Sequence, residues 1–251
     1  MANEQATKAQ RVDAFKVAFI TASTIFIMGY VNALALHTNQ LAAMVTPQTG
    51  NVVWMGLNPA FGEWSRFLSN LALFFSFVFG CGFSFLNRNL FKNRTSQFFF
   101  GWALFALPVA LFPFYTAYIN SHVAFFAMGL SAGFGVGFFR QMYHLDINNA
   151  MATGSVRFLG VTFADAFVKK NKKEAFSLLI FSICVFVFAL GAFLFGIMWS
   201  LDNPNAYGTV GNIASFTNLN PEAVGLSSFV NITLIVICIL PCLCAPKNNV
   251  G

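Results

Sequence analysis

Charge is what this chain has least of. Only 9% of its residues are charged, with eight acidic ones in 251, against 57% hydrophobic and a mean hydropathy of +0.69. So few polar groups cannot cover the surface of a water-soluble globule, so the bilayer must be the solvent. The scarcity of acids also removes the paired carboxylates of general acid–base catalysis, and no nucleophile stands at useful spacing from a base. Three histidines and five cysteines (Cys81, Cys184, Cys238, Cys242, Cys244) show no metal-ligand spacing. No nucleotide-binding motif occurs. The expectation is therefore no enzyme, no catalytic residue, no metal and no cofactor. Nor does the net charge of +6 make a nucleic-acid surface, because the cations fall in short clusters between apolar runs. Polar residues Met1 to Val12 precede a long apolar run without a small-residue cleavage site, so no removed signal peptide is expected.

What is present is apolar length. Six runs reach the roughly 20 residues that a bilayer core requires: Ala14 to His37, Trp64 to Leu86, Gln97 to Tyr118, His122 to Gln141, Ala175 to Ser200 and Gly225 to Cys244. The 34 phenylalanines suit lipid-facing and packing positions. The cysteines read as buried packing residues, with palmitoylation at Cys242 or Cys244 as the alternative there. Two further runs, Leu41 to Phe61 and Ile147 to Val168, are less apolar and interrupted. If these two are re-entrant, Lys8, Arg11, Lys16, Arg88, Lys92, Arg94, Arg140, the Lys169 to Lys173 cluster and Lys247 all fall on one side, and Arg66 alone falls on the other. Cytoplasmic loops collect Lys and Arg, so the six-span arrangement is favoured over an eight-span one.

The two interrupted runs share a motif. Thr49-Gly50-Asn51-Val52-Val53-Trp54-Met55-Gly56 and Thr153-Gly154-Ser155-Val156-Arg157-Phe158-Leu159-Gly160 repeat Thr, Gly, Val and Gly in register. A helix from Asn51 to Gly62 would be about 18 Å long, half of the hydrocarbon thickness. Pro47 removes a backbone donor and disfavours helix at Thr46, Thr49 can cap, and Gly50 permits close approach. With six spans the two copies have opposite orientation, and the half-helices start near the membrane centre with free backbone donors. With eight spans the copies would be parallel. Such a centre favours anions or hydroxyl-bearing neutral solutes. The competing reading is that the Thr-Gly pairs only permit tight helix crossing. That role is the expected one for the Gly129, Gly133, Gly137 ladder.

The fold expected is thus an all-α integral membrane protein, with six transmembrane helices plus two re-entrant half-helices in two inverted repeats. Residues 1–13 form a cytoplasmic tail, 14–118 the first repeat, 119–246 the second with an external loop at 201–224, and 247–251 a cytoplasmic tail. Candidate substrate-binding residues are Thr49, Gly50, Asn51, Thr153, Gly154, Ser155, Asn32, Asn149 and Arg157. Asn32 is equally suited to an interhelical hydrogen bond, and Arg157 to an ion pair with Asp165 or Asp146. His37 reads as interfacial more readily than as a proton relay. Asn58-Pro59-Ala60 is similar to the water-channel tripeptide but ends its short helix and lacks a counterpart in the second copy. We read it as coincidence.

Gly29-Tyr30-Val31-Asn32-Ala33, Thr49-Gly50-Asn51 with Gly56, and Ala127-Met128-Gly129 followed by Thr153-Gly154 with Gly160 resemble the YoaK-like family of uncharacterised bacterial membrane proteins, over about Ala14 to Phe195. The resemblance implies a polytopic inner-membrane protein of transporter type and names no substrate. The family usually carries an acid at the position of Asn32 and an Asn near Ala132, so it implies no carboxylate-mediated proton coupling here. The leading expectation is a small-solute permease or channel in a bacterial cytoplasmic membrane, both termini cytoplasmic, with lipids and a small polar solute as partners and homo-oligomerisation left open. The alternative is a non-transporting scaffold or sensor that binds a partner helix or lipid.

Overall fold

The structure is a computed structural model that describes residues 2–38, 45, 48–112, 121–142, 145–147, 160–164, 172–202 and 229–244. Each of the six long apolar runs contains or overlaps a helix among the described residues: α1 (Ala2–Thr38), α3 (Trp64–Leu90), α4 (Arg94–Ala110), α5 (Ser121–Phe138), α6 (Lys172–Asp202) and α7 (Phe229–Ile239), the last continued by a 3₁₀ turn over Leu240–Cys244. The interrupted run before α3 contains one short helix, α2 (Gln48–Ala60). Three segments, Asp13–Ala35, Trp64–Leu90 and Ala175–Trp199, are long and apolar enough to cross a bilayer. The apolar parts of α4, α5 and the last helix are shorter. This is the pattern of a helical membrane protein. The polar N-terminal residues do not separate from the first run, since Ala, Glu, Gln and Lys continue its helix outward. A departure from the all-helical expectation is small: β1 (Gln141–Met142) pairs antiparallel with β2 (Leu145–Asp146). This hairpin buries Met142 and Ile147 in the apolar cluster that holds Ala18 and Ile25 of α1.

Short turns fix the local topology. Gly62 takes a φ of 74°, which only glycine adopts freely, and reverses the chain between α2 and α3. After α3, extended Phe91 breaks the helix, and Asn93 starts α4 by accepting hydrogen bonds from the Thr95 and Ser96 backbone amides. The side chain of Gln97 donates to the carbonyls of Arg88, 3.2 Å away, and Phe91, while the Asn87 amide donates to the Gln97 carbonyl at 3.0 Å. Arg88 then reaches the C-terminus of α5, donating to the carbonyls of Gly137 (2.9 Å) and Phe138 (3.3 Å). A cation there also complements the helix dipole.

Two helix pairs pack backbone to backbone. On α3 and α5, Gly129 lies against Leu73 and Ser76, Gly133 against Phe77, and Gly137 against Ser84. The contacts advance together along both chains, so the two helices run parallel. On α1 and α6, Gly29 meets Phe188 and Gly191 meets Phe26. The early residues Ala18 and Ile25 share a cluster with Ile180, Phe181 and Cys184, while Tyr30, Val31 and Leu34 share the other with Phe195 and Trp199. This pair is parallel too. The two crossings have the same detail: a Cβ on Gly29 would stand 2.0 Å from the Phe188 carbonyl oxygen, one on Gly133 2.0 Å from that of Phe77, one on Gly191 2.0 Å from that of Phe26, and one on Gly80 2.1 Å from that of Leu130. Between the pairs lies an aromatic core of Phe98, Trp102, Phe105, Phe134 and Phe139, and Trp102 Nε1 donates to the Cys238 carbonyl at 2.7 Å, which ties α4 to α7.

Since a methyl group has no room at either crossing, Gly29→Ala and Gly133→Ala should each lower stability by about 1–3 kcal/mol, read from thermal unfolding in detergent. Gly50→Ala, where a Cβ meets nothing among the described residues within 4 Å, should leave stability unchanged or raise it by up to about 1 kcal/mol through helix propensity.

Candidate functional site

The short helix α2 is built inside out. At thirteen residues it is about 20 Å long, too short to cross a bilayer. Positions 48, 51, 55 and 58 share one face at helical spacing. On that face Gln48, Asn51 and Asn58 are buried, while Val52, Val53, Trp54 and Leu57 lie on the exposed side. A helix in water would hide the valines and the tryptophan and show the amides. In lipid the preference reverses, and the amides turn toward the protein interior.

Hydrogen bonds organise the N-terminal part of this face. The Gln48 amide donates to the Val45 carbonyl at 3.0 Å, and the Asn51 amide donates to Gln48 Oε1 at 3.2 Å. Val45 belongs to the same apolar cluster as Val31, Leu34 and Ala35, so the start of α2 is anchored beside the second half of α1. At the other end, Asn58 is 1% exposed and neither its Nδ2 nor its Oδ1 has a partner. On α3 the Asn70 amide donates to the Arg66 carbonyl at 3.1 Å, leaving a buried Oδ1 without a partner. The buried serines on α3 do not contribute free polar groups: Ser69, Ser76 and Ser84 donate back to the carbonyls of Ser65, Leu73 and Cys81. Among the described residues every buried polar side chain is uncharged, and no cluster of metal-ligating side chains occurs. The Glu63–Arg66 ion pair, at 2.8 Å, sits at the partly exposed hairpin turn.

The expected site residues fare unequally. Asn32 is buried on α1 and Asn51 is buried on α2. Thr49 does not cap the half-helix, which starts at Gln48 and ends at Ala60 and not at Asn51 and Gly62. The Gln48 side chain bonds back to Val45 and takes over the organisation of the helix start, leaving Thr49 exposed in the first turn. A Cβ at Gly50 would meet no described residue within 4 Å. Asn149, Thr153, Gly154, Ser155 and Arg157 lie outside the described residues. Of the second interrupted run, 160–164 is helical and buries Thr162. Two residues were missed from sequence: Gln48 and Asn58. Reading the helix with its polar face inward would have found both, since they share the helical spacing of Asn51.

The family model described as "Protein of unknown function (DUF1275)" matches residues 20–216. The chain belongs to that family. The match runs from Ile20 within α1 through α6 and so includes the half-helix and both glycine crossings. No curated protein and no solved structure matches the chain.

If the Gln48–Asn51 hydrogen bond holds the polar face together, a double-mutant cycle with Gln48→Leu and Asn51→Leu should give a coupling of about 0.5–1.5 kcal/mol in detergent unfolding. Additive losses would mean that the two side chains are independent.

Proposed function

We propose that this protein is a small-solute permease or channel of a bacterial cytoplasmic membrane, of YoaK-like type, whose solute passes beside two half-helices carried by inverted repeats. The observation that carries the reading is the inside-out polarity of α2. A helix too short to span, with its amides turned inward, is how membrane proteins place polar groups beside a pathway. The solute would be held by the Thr49 to Asn51 and Thr153 to Ser155 segments, with Asn32, Asn149 and Arg157 adding contacts.

The register of the halves supports duplication. Gly133 follows Gly29 by as many positions as Thr153 follows Thr49, Gly160 follows Gly56 and Thr162 follows Asn58. Phe188 likewise follows Phe77 by as many positions as Gly191 follows Gly80. Exchanging the halves therefore turns the α1–α6 crossing into the α5–α3 crossing, with the same glycines against the same carbonyl positions and the same parallel sense. Residues 14–118 would form one repeat and 119–246 the other. Six helices crossing, with the cations on the cytoplasmic side and both termini there, makes the repeats inverted.

In proteoliposomes the protein should carry at least one of urea, glycerol or formate, and Gly50→Leu and Gly154→Leu should each abolish that flux while the yield of folded protein stays near that of the wild type. Equal loss of folded protein would instead favour the scaffold reading. Single cysteines at Gly62, Lys92 and Lys170 in a cysteine-free background should label from the outside at the first position and from the cytoplasm at the other two. Labelling of all three from one side would exclude the inverted arrangement.

A further inference from the structure

We propose that the buried carboxamides of the α2–α3 hairpin recognise an uncharged solute that both donates and accepts hydrogen bonds, and that Asn58 is the residue that reads it. The inference rests on the permeation reading above and narrows its solute class. Asn58 offers two amide protons and a carbonyl oxygen, all buried and none used by the protein. Asn70 offers a second unpartnered oxygen on the facing helix of the same hairpin. At 1.5 Å per residue their depths below the Gly62 turn differ by about 6 Å along the hairpin.

Asn87 and Asn231 also leave a buried Oδ1 without a partner, so what sets Asn58 apart among the described residues is that both ends of its carboxamide are bare. The Asn51 amide donates to Gln48 and the Gln48 amide to the Val45 carbonyl, and the α3 serines bond to their own helix. A buried amide left bare is costly in any apolar medium, and more so where water is excluded, so a chain that keeps one has a use for it. Charge decides the class of solute. No described buried side chain carries a charge, and the one ion pair at this hairpin neutralises itself at the turn. Beside Asn58 an ion would meet no described counter-charge, whereas a neutral molecule with both a donor and an acceptor matches both ends of the carboxamide. A second observation is independent of the unpaired atoms. Thr162, at the position that corresponds to Asn58 in the other copy, is also polar and also buried, 7% exposed.

The test uses the full chain in proteoliposomes, with urea and glycerol as neutral probes and formate and nitrate as anions, alongside thermal unfolding in detergent. Urea and glycerol should pass and the anions should not. Asn58→Leu should lower urea flux at least about tenfold and raise the unfolding temperature by about 2–4 °C, because it removes an unpartnered polar group from the interior. Asn58→Ala, which introduces no bulk, should lose flux without falling below the wild-type unfolding temperature. If both variants unfold at lower temperature, the carboxamide is structural and the assignment fails. Urea flux that is unchanged in Asn58→Leu also overturns it. Passage of formate or nitrate but neither neutral probe overturns the solute class and leaves permeation standing. An absence of flux for all four probes removes the permeation reading and this inference together.

Discussion

Two backbone-on-backbone helix crossings carry the described fold. In lipid the hydrophobic effect does not press one helix against another, so association depends on dispersion contacts and interhelical hydrogen bonds. Both grow as the axes approach, and glycine is what allows the approach. At Gly29, Gly80, Gly133 and Gly191 the neighbouring carbonyl occupies the space where a side chain would begin. The Cys81 thiol donates to the Gly133 carbonyl at 3.3 Å across the same seam. The seam also explains why α3 lines its buried face with Ser69, Ser76, Gly80 and Ser84. Small side chains whose hydroxyls bond to their own backbone leave a smooth surface and no unmet polar group.

The same absence of water arranges polarity outward from these seams. Phe75, Phe79, Phe83 and Phe85 stand on the exposed side of α3 while Ser69, Asn70, Ser76, Ser84 and Asn87 are inside. Helix α2 repeats that inversion on a segment that cannot span. In a soluble protein an apolar outer face of this kind would be an aggregation surface, but against acyl chains it is the stable arrangement. Amides driven inward must then find partners. Gln48 and Asn51 do so within the turn, and Asn58 does not. The far end of this face stays unsatisfied at some cost in stability, and on the proposed permeation reading a solute would supply the missing partner.

Much of this was legible in the residues. Each long apolar run became a helix, because a segment of that length has no other way to satisfy its backbone in lipid. That α2 is short was legible in its interrupted run, although the helix passes through the Thr-Gly pair, and the packing role of the Gly129, Gly133, Gly137 ladder was legible in its spacing. Less legible were the start of α2 and the orientation of its faces. Thr49 has the chemistry of a cap, yet Gln48 begins the helix one residue earlier, because the anchor for its side chain is Val45, and Val45 is fixed only by packing on α1. Asn58-Pro59-Ala60 ends α2 as the sequence suggests, but a sequence does not show whether the Asn58 amide has a partner.

What the sequence determined alone was composition against solvent. Its apolar lengths, scarce charges and glycine spacing dictate helices in a bilayer, since those follow from local backbone and transfer energetics. What only the tertiary structure decided was partnership: which glycine meets which carbonyl, that α1 pairs with α6 and α3 with α5, and which buried amides remain unsatisfied. These depend on contacts between residues far apart in the chain. No local property of Phe188 places its carbonyl at Gly29, and no property of Asn58 reveals that its neighbours bond elsewhere.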